Sequence, residues 1–194
     1  GKTHSSPKSF NNHLGVPISI SNLNIEDKFG VFEVGMSKAG EIKNLTKLIK
    51  PHIGVITNIG EAHLENFKDI RGIAKAKSEI IENIKNGGTI ILNRDDKFYN
   101  FLSKKAKKYN LKVRTFGKNK KADVRLKRAI KKGNKLELFI KINNQTTSFT
   151  IKDLNIYNVL SSVAVLNELG LNIFKIKSKL KYLESPEGRG KKYS

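Results

Sequence analysis

The chain has 194 residues, 38% of them hydrophobic and none of them cysteine, which suits one α/β domain with a sizeable core and excludes disulfides, thiolate zinc sites and cysteine nucleophiles. No run of apolar residues is long enough to cross a bilayer as a helix. The formal charge of +21 invites a nucleic-acid reading, but the excess is mostly lysine spread along the whole chain, without interleaved aromatics that could stack on bases. The local clusters, Lys104 to Lys108, Lys118 to Lys121 and Lys131-Lys132, read as solvated surface.

At the start, Gly1-Lys2-Thr3 copies the tail of a phosphate-binding loop. That motif needs an upstream glycine, a preceding strand and a following helix, and His4-Ser5-Ser6-Pro7 begins no helix, so the match is rejected. The opening residues include neither an initiator methionine nor the apolar core of a signal peptide, and read as an internal segment. Strands are expected at Phe29 to Val34, Ile53 to Asn58, Thr89 to Asn93 and Val113 to Phe116. Helices are expected at Gly40 to Ile49, Ile70 to Ile84 and Asp96 to Tyr109. This alternation implies right-handed crossovers and a mainly parallel sheet flanked by helices.

From Asp123 to Ile151 the pattern changes to short alternating segments, Val124 to Lys127, Leu136 to Ile142 and Thr147 to Ile151. Turns at Lys132-Gly133-Asn134 and Asn143-Asn144 make this a short antiparallel extension. Helices from about Asn155 to Leu169 and from Ile173 to Leu183 follow. Ser185 to Gly190 reads as a linker, which makes residues 1–184 one domain and 185–194 a hinge leading into another.

Three residues stand where open α/β sheets place chemistry, at or beyond the carboxyl ends of strands. Glu33 closes the apolar stretch from Phe29, where a carboxylate needs a cation, a donor or a metal to offset burial. His63 follows the strand Ile53–Ile56 and the loop Thr57-Asn58-Ile59-Gly60, although a lone histidine there also serves as a loop or capping residue. Lys77 sits in the helical stretch Ile73 to Ile81. Together Glu33, His63 and Lys77 suit one crevice holding a metal-bound polyphosphate. Asn11-Asn12 and Asn155…Asn158 fit equally well as turn or helix-start residues.

With these segments in place, the chain resembles the central ATP-binding domain of the Mur ligases, the ATP-dependent amide-bond ligases of bacterial cell-wall synthesis. The resemblance rests on Ser9 to Pro17, Glu33-Val34-Gly35-Met36 with Gly40-Glu41-Ile42, Thr57-Asn58 with His63 to Phe67, Ala74 to Ile80, Asn93 to Asp96, and Asn155-Ile156-Tyr157-Asn158. The Phe10-Asn11-Asn12 and Glu33-x-Gly-Met versions are most similar to the member that adds D-alanyl-D-alanine to UDP-N-acetylmuramoyl-tripeptide. The resemblance implies ATP and Mg2+ as cofactors, an acyl phosphate as intermediate, a bacterial cytoplasmic location and a monomer. It implies that Glu33 and His63 serve magnesium and that Lys77 is carbamylated into a further magnesium ligand, with Lys75 ordinary surface. Asn158, with Asn155 nearby, would read adenine; Asn11 and Asn12 would face the muramoyl-peptide and phosphates; Arg189 would approach the nucleotide from the hinge. Asn93 to Asp96 is assigned only the shaping of a strand end. Two positions depart from the family pattern: Leu154 replaces a frequent histidine, and Ser37-Lys38 replaces the usual Asn-His. Another Mur ligase, a folylpolyglutamate-synthase-like ligase and a basic nucleic-acid-binding α/β module remain as alternatives.

Overall fold

The computed structural model describes residues 1–7, 9–61, 64–152 and 154–176. In chain order it has β1 (Thr3–Ser5), α1 (Gly15–Ser21), β2 (Phe29–Val31), α2 (Glu41–Ile49), β3 (Ile53–Ile56), a 3-10 turn at Leu64–Asn66, and α3 (Ile70–Lys77). A 3-10 stretch at Ser78–Asn83, β4 (Thr89–Asn93), α4 (Tyr99–Lys108) and β5 (Lys112–Gly117) come next. They are followed by β6 (Val124–Lys132), β7 (Lys135–Ile142), β8 (Gln145–Ile151), α5 (Ile156–Glu168) and α6 (Ile173–Ile176). The strands form a parallel pair, β1-β2, and a six-stranded sheet in the order β3-β4-β5-β6-β7-β8. The architecture is the expected one, a mainly parallel, mixed sheet flanked by helices. The expected hinge, the linker at Ser185 and the end of the last helix at Leu183 lie outside the described residues.

The described chain forms two compact units. The first comprises Gly1–Gly54, Ile59–Thr89 and Lys104–Lys112. Here Gly1-Lys2-Thr3 runs into β1, paired Thr3↔Phe29 with β2, and no helix follows it directly, in keeping with rejection of a phosphate-binding loop. Two elements of this unit carry no clear sequence signal. β1 is only three residues long, and α1 has seven residues that include Pro17 and the β-branched Val16, Ile18 and Ile20. Pro17 is tolerated because it lies in the first turn, where backbone N–H groups have no partner within the helix.

One expectation is corrected in this unit: β2 stops at Val31 rather than Val34, and Glu33 beyond it is exposed. The backbone leaves the strand to bond the Asn11 loop, Gly35 N donating to the Asn11 carbonyl at 2.7 Å. Burial therefore places no demand on the Glu33 carboxylate. The helix expected from Ile70 to Ile84 is also divided. The hydroxyl of buried Ser78 bonds the Lys75 carbonyl at 2.6 Å and accepts from Lys105 Nζ at 3.0 Å, and the chain tightens from α to 3-10 at that residue. Serine competes in this way for helical carbonyls. Lys77 ends α3 at the junction.

The second unit comprises Val55–Asn58, Ile90–Ser103 and the described residues from Val113 onward. Its core includes Ile90, Ile91 and Leu92 of β4, Phe116 of β5, Leu138 and Ile140 of β7, and Leu160 of α5, all fully buried. All five residues of β4 are buried, as expected for a strand covered on both faces. β5 and β6 are parallel although only six residues join them. The short connection works because only the end of β5 meets the start of β6, Phe116↔Val124 and Gly117↔Arg125. Asp123 secures that stagger: its Oδ2 accepts from Thr115 N at 2.8 Å and from Thr115 Oγ1 at 2.6 Å, and its own N–H donates back to Thr115 Oγ1 at 3.0 Å.

The antiparallel extension is built as its turn residues suggest. Gly133 has φ 59 in the β6–β7 turn, and Asn143 and Asn144, at φ 47 and 68, form a two-residue turn between Ile142 and Gln145. A register shift between Leu126 and Arg128 makes Lys127 a bulge residue, and the Arg128 guanidinium stacks 4.1 Å from the Phe139 ring centre. Members of the lysine clusters have specific partners: Lys105 pairs with Glu82 at 2.8 Å and Lys132 with Glu137 at 2.7 Å.

Candidate functional site

The carboxyl ends of β3 and β4 and the start of α5 form a pocket in the second unit. Its volume is about 260 Å³ and it is lined by Thr57, Asn58, Asn93, Asp95, Asp96, Asn155, Tyr157 and Asn158. The rim at β4 is made by side chains that replace helix with turn. Asn93 Nδ2 donates to the Thr57 carbonyl at 3.1 Å, Asn93 Oδ1 accepts from Asp95 N at 2.9 Å, and Asp96 Oδ1 accepts from Phe98 N at 2.8 Å. For this reason α4 begins at Tyr99 and not at Asp96. Asn93 to Asp96 does shape the strand end, and three of these four residues also line the pocket.

On the opposite rim, Asn155 is the N-cap of α5, its Oδ1 accepting from Tyr157 N at 2.8 Å and Asn158 N at 3.3 Å. Its oxygen is thus committed to the helix start. Asn158 is exposed in the first turn and lines the pocket. Among the described residues the lining has hydrogen-bonding groups, one aromatic ring and two carboxylates but no lysine or arginine, and this part of the pocket suits an uncharged heterocycle or a sugar better than a phosphate chain. Burial and the neighbouring Asp95 carboxylate raise the Tyr157 phenol above its ordinary range, so the hydroxyl stays protonated and donates to Asp95 Oδ2 at 3.2 Å. Sequence reasoning left Asp95 and Tyr157 without a role. The available signals were an acidic pair just past a buried strand and an aromatic between two asparagines.

The remaining candidates that can be described belong to the first unit. Asn12 is a helix-start residue, its Oδ1 accepting from Leu14 N at 3.1 Å and Gly15 N at 2.8 Å, while Asn11 Nδ2 donates to Glu33 Oε1 at 2.9 Å. Lys77 is half-buried whereas Lys75 is exposed. Glu79, two residues past Lys77, reaches the start of α2, where its carboxylate accepts from Gly40 N at 2.7 Å and Lys43 N at 3.0 Å. The segment after Glu33 is tied down as well. Ser37 N and Lys38 N donate to Glu41 Oε2 at 2.6 and 3.0 Å, which holds the Glu41 carboxyl below its ordinary range. His63 and Arg189 lie outside the described residues. Among the described residues no cluster of three His, Asp or Glu side chains is placed to hold a metal.

Comparison with known proteins agrees with these segments. Residues 1–166 match the family model described as the Mur ligase middle domain. The UDP-N-acetylmuramoyl-tripeptide--D-alanyl-D-alanine ligase of Rickettsia prowazekii is 32% identical over 187 residues, covering 94% of this chain and 42% of the relative. A crystal structure of MurF from Acinetobacter baumannii superposes with a TM-score of 0.89 at 28% identity, covering 97% of this chain and 41% of that one. MurF ligase from Thermotoga maritima, in complex with ADP, gives 0.84 at 26% identity, covering 97% and 43%. The chain therefore spans about two fifths of the length of these relatives. No described helix is long and apolar enough to cross a membrane. The match over residues 1–166 establishes that this chain belongs to the Mur ligase family through its middle domain.

Proposed function

We propose that the chain is the central, nucleotide-binding part of a ligase that uses ATP to join D-alanyl-D-alanine to UDP-N-acetylmuramoyl-tripeptide in the bacterial cytoplasm. The observation that carries this reading is the polar pocket at the ends of β3 and β4, in a chain similar to a ligase crystallised with ADP. The pocket takes the adenosine end. Asn158 offers an amide that can donate to and accept from a base edge, and Tyr157 offers a ring face. Arg189, outside the described residues, is assigned to the same nucleotide.

In the reaction the γ-phosphoryl group passes from ATP to the tripeptide carboxylate, leaving ADP. The amine of the incoming dipeptide then attacks the acyl carbon, and inorganic phosphate departs as the amide forms. Negative charge gathers at both steps and requires cationic stabilisation. Glu33 fits a magnesium site as an exposed carboxylate whose Oε1 is oriented by Asn11. Lys77 fits only as a carbamate, since an ammonium would repel the ion. With Glu33 serving one magnesium, His63 a second and carbamylated Lys77 a further ligand, the metal would supply positive charge beside the transferring phosphoryl group. The Asn11-Asn12 loop beside Glu33 is assigned to the muramoyl-peptide and phosphates, with Asn11 as the contacting side chain because the Asn12 oxygen caps α1.

The test is amide formation by the intact protein from the tripeptide substrate, D-alanyl-D-alanine and ATP. Lys77→Ala is expected to lose most turnover, on the order of a hundredfold or more, as for loss of a group that orients transition-state charge. Lys75→Ala is expected to keep turnover, and acetate at high concentration to restore part of it to Lys77→Ala. Near-normal turnover in Lys77→Ala, or sensitivity at Lys75 instead, overturns the assignment.

A further inference from the structure

Asp95 makes more directed contacts than any pocket role assigned so far requires. Its Oδ2 accepts from Lys118 N at 2.6 Å and from the Tyr157 hydroxyl at 3.2 Å, and its Oδ1 accepts from Asn119 N at 2.8 Å. The carboxylate thus joins three chain segments of one unit: the turn after β4, the turn after β5, and the first turn of α5. The approach is close enough to dictate a residue. Gly117 has φ 148, and a Cβ there would lie 2.7 Å from Asp95 Oδ2, so both backbone conformation and space exclude a side chain. The Lys118 ammonium stands 5.7 Å from the Tyr157 ring centre. Among these residues, Asp95 and Tyr157 line the pocket while Lys118 and Asn119 do not.

We propose that Asp95 is a positioning residue for the nucleotide: by binding the Lys118-Asn119 backbone and the Tyr157 hydroxyl together, it fixes the Tyr157 ring as a preformed wall against which the base packs. The proposal rests on the reading of this pocket as the nucleotide site. Its physical content is preorganisation. An aromatic side chain held at its hydroxyl loses little freedom when a flat ligand arrives, so the ordering cost is met on folding and not on binding. The carboxylate does not touch the reacting atoms, so its loss weakens nucleotide binding without altering the chemical step.

The test measures ADP binding to the intact protein by calorimetry, with KM for ATP and kcat in the ligase reaction, for wild type, Tyr157→Phe, Asp95→Asn, Asp95→Ala and the double variant Asp95→Ala/Tyr157→Phe. Tyr157→Phe keeps the ring and removes only its anchor, so it remains informative even where an Asp95 variant does not fold. Tyr157→Phe is expected to weaken ADP several-fold and Asp95→Ala by about tenfold, the range of a lost hydrogen bond to a charged group. Asp95→Asn, which keeps one acceptor oxygen, is expected to fall between wild type and Asp95→Ala. KM for ATP should rise in parallel with kcat within about threefold of wild type, and the double variant should bind ADP no more weakly than Asp95→Ala, because both changes break one linkage. Wild-type ADP affinity in Tyr157→Phe, or a loss confined to kcat, overturns the role of Asp95. Failure of the wild-type protein to bind ADP overturns the nucleotide reading of the pocket itself.

Discussion

The starts of α1 and α5 present the same problem and solve it with different neighbours. Each has two asparagines, and in each one asparagine oxygen accepts two backbone N–H groups: Asn12 at α1 and Asn155 at α5. The other asparagine of each pair does not cap its helix. Asn11 donates to the Glu33 carboxylate, whereas Asn158 lines a pocket. An asparagine pair at a helix start therefore divides into a capping residue and a residue available for ligand chemistry, and the two are separable by experiment. The difference lies in what surrounds the residue that does not cap. Around Asn158 the described lining of the pocket lies within one unit, and Asp95 joins two of its walls. Around Asn11 the partner is an exposed carboxylate, Glu33.

The broadest stability effect is expected where a helix start is capped from a distance. Glu79→Ala removes the acceptor of two N–H groups at α2 and should destabilise the chain by about 2 kcal/mol, the scale of hydrogen bonds to a charged group. Thermal unfolding measures this, and an unchanged midpoint would show that α2 needs no cap. Asn12→Ala and Asn155→Ala should each cost about 1 kcal/mol by the same measurement, while Asn11→Ala and Asn158→Ala should leave the midpoint near wild type. Equal losses within either pair would break the division proposed above.

The smallest effect concerns Glu82, whose carboxyl is held below its ordinary range first by Lys105, with a further contribution from Lys43. A carboxylate with a depressed folded-state pKa stabilises above its unfolded pKa and loses that contribution as pH falls through the folded value. Glu82→Gln should therefore lower stability by about 1 kcal/mol or less at neutral pH. The difference from wild type should vanish once acid protonates Glu82. A difference that persists in acid would assign the effect to packing.

Much of this architecture was legible because periodicity and turn chemistry agree locally. β4 matches its expected bounds, and the two hairpins turn at the expected glycine and asparagines. Several misses come from bonds that override a helix or strand pattern, two made by side chains and one by the backbone. Ser78 converts the second half of a predicted helix to 3-10, Asp96 delays α4, and the Asn11 loop draws the backbone away from β2 before Glu33. Such bonds depend on neighbours that sequence spacing does not reveal. At the pocket, Asn158 was readable from the family motif, whereas Asp95 was not, because its partners lie 23, 24 and 62 positions away.

The most direct measurement of the central claim is a calorimetric titration of ADP and of the UDP-linked tripeptide into the intact protein and its Asn158→Ala and Asn155→Ala variants. Asn158→Ala is expected to weaken ADP by about 1 to 3 kcal/mol, the cost of an unmet hydrogen bond, and to leave the UDP-linked ligand unchanged. Asn155→Ala should act mainly on stability. Equal weakening of both ligands by Asn158→Ala, or unaltered ADP affinity, would contradict the assignment of this pocket to the nucleotide.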